Sequence, residues 1–304
     1  MKTLIVGGTG MIGSHTALHL RDEGHHVTVA ARTPVAEDSP VAGFPVLLGD
    51  YTAGTFTETD LGQFEAIVFA AGLDIRHKPK DADEDEFWER TQTGGVPRFV
   101  ALAKRAGVGR VVQIGSYYHQ VMPELVERDP YVRARSRADE GARALADADF
   151  NVSTLNPPSI LGVIPGASTR RYAKIVDWAD GALPDVPNFA PAGGTNYLSV
   201  RSLAAAVGGA LQHAESGKRY LVGDANLTFR EYFQAVFDAA GSSIRLEERD
   251  EEHPFMPDSA IVPGRGHVLS YEPDPADTEL LGYPRGDVER ALDEIVAAVR
   301  ASRT

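Results

Sequence analysis

Tyr131 and Arg135 stand four residues apart where a helix begins after Pro130, so they share one face of it. A phenol can give a proton to a carbonyl, or take one from an alcohol, once its pKa falls toward neutrality. A fixed cation nearby lowers that pKa. Ser116 follows an apolar strand over 110–114, and its hydroxyl can hold a substrate oxygen. In an open α/β sheet, ligands sit outside such strand ends. The three residues together suit proton transfer at a carbonyl or a secondary alcohol. Tyr117 and Tyr118 are alternative phenols, or else pocket wall. His119, His253 and His267 lack metal-ligand spacing, so no metal is expected. The chain has no Gly-x-Ser-x-Gly elbow, which argues against a hydrolase.

Such a reaction needs a hydride carrier, and the chain opens with a place for one. Residues 2–6 read as a short buried strand, followed by Gly7-Gly8-Thr9-Gly10-Met11-Ile12-Gly13. Ile12, Thr16 and Leu20 repeat at helical spacing, so a helix opens inside the glycine run. Gly7 allows the turn, Gly10 lets a phosphate approach the backbone, and Gly13 lets helix and strand pack closely. Free N–H groups and the helix dipole favour the negative charge of a pyrophosphate. Arg32 ends the second strand, where a dinucleotide fold places an acid for a ribose 2′-hydroxyl or a base for a 2′-phosphate. The strand closes Ala30-Ala31-Arg32 with no acid, which favours NADP, with NAD as the other possibility. The small residues Ala70-Ala71-Gly72 at the end of the fourth strand let a cofactor lie against the backbone.

The elements that must hold these residues follow in order. Strands are expected over 26–31, 44–48, 66–69, 110–114 and 150–155, and helices over 95–106 and 132–146. This alternation predicts a doubly wound parallel sheet. Residues 1–162 form the expected dinucleotide-binding domain, its sheet completed by about 196–240. Residues 163–195 and 241–286 form a smaller, irregular substrate lobe, and 287–304 a C-terminal helix. The acidic run 81–86 reads as a solvated face. The formal charge of −13 argues against nucleic acid and against anionic membranes. With no cysteine and no apolar run of spanning length, a soluble cytoplasmic protein is expected. The expected partner is a small-molecule substrate.

On these motifs the chain resembles the extended short-chain dehydrogenase/reductases of the NAD-dependent epimerase/dehydratase type. The resemblance covers nearly all of it. It implies that Gly49-Asp50 is the motif whose acid contacts adenine, and that Ala70-Ala71-Gly72 lines the cofactor ribose. It makes Ser116 the catalytic Ser/Thr and Tyr131 the tyrosine of the Tyr-x-x-x-Lys motif. It sets Pro157-Pro158-Ser159 within a segment that meets the nicotinamide. Arg170 and Arg171 fall where sugar-nucleotide enzymes of the family bind a diphosphate. Homodimers are common in the family.

Two positions depart from the pattern. Arg135 replaces the motif lysine, which in the family holds the nicotinamide ribose and takes part in a proton relay; the arginine keeps the charge for the first task but cannot give up a proton for the second. Gln92 replaces an asparagine that supports the family's proton relay. Three readings therefore stay open. The first is an oxidoreductase passing hydride between nicotinamide and a small polar carbonyl or alcohol. The second is a nucleotide-sugar epimerase/dehydratase, and the third a non-catalytic NADP-binding regulator.

Overall fold

The computed structural model describes residues 1–164 and 169–303. Its strands in chain order are β1 (Lys2–Val6), β2 (His26–Ala31), β3 (Val46–Leu48), β4 (Ala66–Phe69), β5 (Arg110–Ile114), β6 (Asn151–Asn156), β7 (Ser159–Leu161), β8 (Phe189–Pro191), β9 (Gly194–Ser199), β10 (Arg219–Leu221), β11 (Ala225–Thr228), β12 (Glu247–Arg249) and β13 (Val268–Leu269). The helices are α1 (Met11–Asp22), α2 (Glu58–Leu61), α3 (Glu84–Trp88), α4 (Gly95–Arg105), α5 (Tyr118–Val121), α6 (Leu125–Arg128), α7 (Pro130–Arg143), α8 (Arg170–Ala179), α9 (Val200–His213), α10 (Phe229–Ala239), α11 (Pro275–Leu281) and α12 (Val288–Ala301).

β1, β4, β5 and β6 are buried at nearly every position, without alternation. A strand covered by helices on both faces needs such a run. They form the middle of a seven-stranded parallel sheet, in the order β10-β6-β5-β4-β1-β2-β3. The chain winds outward from β1 to β3, returns to β4 beside β1, and winds outward the other way. The reversal opens a crevice at the carboxyl ends of β1 and β4. α1 packs on α9, and α4 packs on α7. Leu4, Val6, Ile67, Phe69 and Val111 of the sheet share a core with Phe99 and Val100 of α4 and Ala138 of α7. The expected doubly wound fold is therefore present.

The chain forms two compact units. The first holds Met1–Pro157, Val200–Val222 and Pro273–Tyr283; the second holds Pro158–Ser199, Gly223–Glu272 and Pro284–Thr304. In the second, β9 pairs with β7, β11 and β13, and β8 pairs with β12. Its core gathers Trp178, Phe233 and Phe237 with Leu292, Ile295 and Val299 of α12. α10 begins at a reciprocal cap between Thr228 and Glu231.

These limits differ from the sequence expectation at three places. Of the stretch 196–240, only β10 joins the parallel sheet, while β9 heads the second unit's sheet. All six β9 positions are buried, so its pattern reads as a central strand of either sheet. Residues 275–281, given to the irregular lobe, are α11, packed on α9 in the first unit. α12 belongs to the second unit's core rather than standing apart. Residues 165–168 of the expected lobe lie outside the described residues. Among the described residues, no helix is long and apolar enough to cross a membrane.

Candidate active site

At the end of β1 the chain turns through Gly7 at φ +83°, a conformation that glycine adopts without a Cβ penalty. A Cβ there would lie 2.8 Å from the Ala71 backbone, so the turn packs directly on the chain leaving β4. A Cβ on Gly13 would collide with the Gly7 carbonyl oxygen and lie 2.8 Å from Gly8 Cα. Gly10 is different, because a Cβ there meets only the Gly7 carbonyl oxygen, at 3.4 Å. Gly10 is also the N-cap of α1, with no side-chain cap, and the first turn of α1 has no acid. Thr9 and Gly10 are exposed, and Met11 and Ile12 half-buried. Uncapped N–H groups beside open backbone fit the pyrophosphate of a dinucleotide.

Next to this turn, Arg32 is exposed just after β2. Asp50 follows β3 and accepts hydrogen bonds from Thr52 N at 2.8 Å and Thr52 Oγ1 at 2.7 Å. Burial alone would raise its pKa; the bonds from Thr52 and Ala53, with the charge of Arg32, outweigh burial and hold it below the ordinary carboxylate range. Beyond β4, Tyr51 Oη donates to the Thr91 carbonyl at 2.9 Å and lies 3.3 Å from the Ala71 carbonyl oxygen. Gln92 is buried on a π-helical turn over Glu89–Thr93, and its Nε2 donates to the Leu73 carbonyl at 2.9 Å. Such turns recur at functional sites. Here Gln92 buckles down the loop that Ala70-Ala71-Gly72 begins.

α7 starts sharply. Asp129 caps it by accepting from Val132 N at 2.9 Å, and Pro130 supplies the fixed φ of the first turn. Tyr131, one position on, is 9% exposed, with its ring centroid 5.3 Å from that of Trp88 and 6.4 Å from that of Tyr118. One turn later, Arg135 is buried and its Nη2 donates to the Ile114 carbonyl at 3.0 Å. Its Nη1 lies 2.8 Å from where a Gly72 Cβ would sit. The guanidinium thus spans the carboxyl ends of β4 and β5, and its Nε has no hydrogen-bond partner among the described residues. Ser116 is 5% exposed, and its hydroxyl has no partner among the described residues. Burial, then the neighbouring Tyr117, pushes the Tyr118 phenol well above its ordinary range, so it makes a poor proton donor or acceptor near neutrality.

The first unit thus brings Gly7, Gly10, Gly13, Arg32, Asp50, Ala70, Ala71, Gly72, Gln92, Ser116, Tyr131 and Arg135 to the carboxyl edge of one sheet. Pro157 ends that unit, and Pro158 and Ser159 belong to the second. Arg170 opens α8 in the second unit, exposed; the Arg171 side chain lies outside the described residues.

Beneath Tyr131 and Arg135 lies a polar cluster that sequence reasoning missed. Asp139 has no exposed surface, and it accepts from His119 Nε2 at 3.2 Å and from Arg143 Nε at 2.7 Å. Asn156 Nδ2 lies 3.4 Å from the same histidine nitrogen and donates to Gln120 Oε1 at 2.5 Å. Burial alone would raise the Asp139 pKa, but the bonds from His119 and Arg143 bring it down to about 2. The available signal was the four-residue stripe of Tyr131 and Arg135, which continues through Asp139 and Arg143.

A model of the NAD dependent epimerase/dehydratase family matches residues 3–223. A protein of Synechocystis sp. that carries the provisional name dihydroflavonol 4-reductase is 22% identical over 247 residues, 74% of this chain and 68% of its own. Among solved structures, gox2253 is similar with a TM-score of 0.79 at 18% identity, over 99% of this chain and 98% of its own. UDP-glucose 4-epimerase from Bifidobacterium longum, in complex with NAD+ and UDP, is similar at 0.72 and 18% identity, over 99% of this chain and 98% of its own. At such identities the structural likeness speaks for the fold.

Proposed function

The chain belongs to the NAD dependent epimerase/dehydratase family, and from that premise we propose that it is an oxidoreductase acting on a carbonyl or secondary alcohol of a small polar substrate, with NADP preferred to NAD. The observation that carries this reading is the gathering of a buried tyrosine, a serine hydroxyl without a partner among the described residues and a buried arginine at the carboxyl ends of β4 and β5. Bound there, the dinucleotide would supply or accept the hydride. Residues 7–13 would hold its pyrophosphate, Arg32 its 2′-phosphate, Asp50 the adenine end and Ala71-Gly72 the ribose. Ser116 would orient the substrate oxygen, and Tyr131 would give that oxygen a proton or take one from it. Arg135 would supply positive charge without relaying protons.

Titration with NADPH and NADH, followed by NADPH oxidation over a panel of ketones, tests the reading. Tighter NADPH binding is expected, and Arg32→Ala should narrow the gap. Tyr131→Phe should lower turnover by about 10²- to 10⁴-fold, the range of general acid–base catalysis, with NADPH affinity retained. Equal affinities for the two dinucleotides would remove the role of Arg32. An unimpaired Tyr131→Phe would move the acid elsewhere.

A second reading, a nucleotide-sugar epimerase/dehydratase, draws on the likeness to the Bifidobacterium epimerase. The lack of an acid at the end of β2 weighs against it. Release of NAD from the purified protein, with no response to Arg32→Ala, would favour it.

A further inference from the structure

We infer that His119 and Asp139 form a buried positioning pair that fixes Ser116 against the Tyr131 face of α7. The inference rests on the proposed roles of Ser116 and Tyr131 and adds two residues to them.

An unpaired carboxylate with no exposed surface would be strongly destabilising, so Asp139 needs its partners. Arg143, one turn along α7, bonds it by Nε at 2.7 Å and by Nη2 at 3.3 Å. That bond stays within one helix, and Arg143 itself donates by Nη1 to the Gly217 carbonyl at 3.0 Å, so it ties α7 to the chain before β10 and not to the segment that carries Ser116. His119 comes from the segment that carries Ser116, three residues after it, and donates Nε2–H to Asp139 Oδ2 at 3.2 Å. This bond ties α7, two turns below Tyr131, to the chain leaving β5.

The chain before Ser116 is held as well. A Cβ on Gly115 would collide with Asn156 Oδ1 and lie 2.7 Å from Thr154 Cγ2, so Gly115 presses on the Asn156 that also lies against His119. Ile114, one residue further back, offers its carbonyl to Arg135. Ser116 is therefore clamped on both sides, and each clamp ends on α7 or on β6. Its own hydroxyl has no partner among the described residues, which leaves that hydroxyl for a substrate oxygen. A displacement of about 1 Å in such a constellation can cost on the order of 10²-fold in rate.

The test compares His119→Leu, which removes the donor, with His119→Gln, whose side-chain amide can still donate to Asp139. In His119→Leu we expect kcat to fall by about 10- to 100-fold, with the substrate KM and NADPH affinity changed by less than about threefold. His119→Gln should keep most of the rate. Crystal structures of native protein and both variants, each with NADPH, should show the Ser116 Oγ to Tyr131 Oη separation altered in His119→Leu alone. Should His119→Leu fail to fold, His119→Phe keeps a ring of similar size, removes the same donor and carries the same expectation. A folded His119→Leu with native kcat and native separation overturns the inference; so does His119→Gln failing as badly as His119→Leu. Ser116→Ala and Tyr131→Phe, run alongside, separate the two levels. If both keep native turnover, or if no ketone is turned over, the proposed reaction fails and the measured separation alone decides the positioning role.

Discussion

Arg135 is the residue at which this chain departs most from the family pattern its motifs suggest. Its guanidinium donates to the Ile114 carbonyl and lies against Gly72, so it serves as a strut between two strand ends as well as a charge. Arg135→Met keeps much of the length but leaves that buried carbonyl unpaired, which should cost about 1–3 kcal/mol, read from the urea midpoint. Arg135→Lys should lose less, because an ammonium can still donate there. A midpoint unchanged in Arg135→Met would show that the Ile114 bond carries no stability. At this scale the sequence is legible where function depends on near neighbours. Tyr131 with Arg135, and the three glycines of the first turn, are local patterns with a physical period. The pair His119 and Asp139 is 20 residues apart, and Asn156 is 37 from His119, so only folding makes them neighbours.

The junction of β1 and α1 separates two uses of glycine. Gly13 serves packing, since a Cβ there strikes the Gly7 carbonyl oxygen, whereas the space over Gly10 is open. Gly13→Ala should therefore lower thermal stability and dinucleotide affinity together. Gly10→Ala should cost the fold less than about 1 kcal/mol, in line with a lost glycine N-cap, yet remove the approach of the phosphate. Calorimetry with NADPH titration on both variants checks this, and native affinity in Gly10→Ala would deny the turn its phosphate. The sequence conveys these elements well because β1 is a short apolar run closed by glycine, α1 keeps a helical period, and α7 has a cap in Asp129 and Pro130. β9 was misread because a strand buried at every position looks the same in either sheet, and its partners β7, β11 and β13 are distant or very short. β8 and β12 have three residues each, too few for alternation to register.

For the molecule as a whole, each unit holds one buried titratable group whose environment ties stability to acid. In the first unit it is Asp139. Its folded pKa of about 2 lies below the ordinary 3.8, so its contribution, about 2 kcal/mol, is complete above pH 3.8 and lost as the pH falls toward 2. In the second unit it is His253, with no exposed surface, whose Nδ1 accepts from Phe255 N at 3.2 Å while Nε2 faces the Pro187 carbonyl at 3.3 Å. Its ring packs 4.7 Å from Trp178 and 5.1 Å from Phe189. Burial lowers its pKa below the ordinary 6.5, and the Pro187 bond only partly opposes this. Above pH 6.5 the folded and unfolded chains are both neutral at His253 and the stability is complete. Below it the unfolded chain gains a proton that the folded one refuses, and stability falls until the folded pKa is reached. The chain has two tryptophans, Trp88 in the first unit and Trp178 in the second, so Trp88→Phe and Trp178→Phe each leave one reporter. The urea midpoint reported by Trp178 should drop between pH 7 and 5, ahead of any loss attributable to Asp139. Lower pH also relaxes the repulsion within a chain of charge −13, so His253→Phe is the control: the difference between its slope and the native one isolates the histidine. Equal slopes over that interval would mean that His253 is protonated as readily in the folded chain as in the unfolded one.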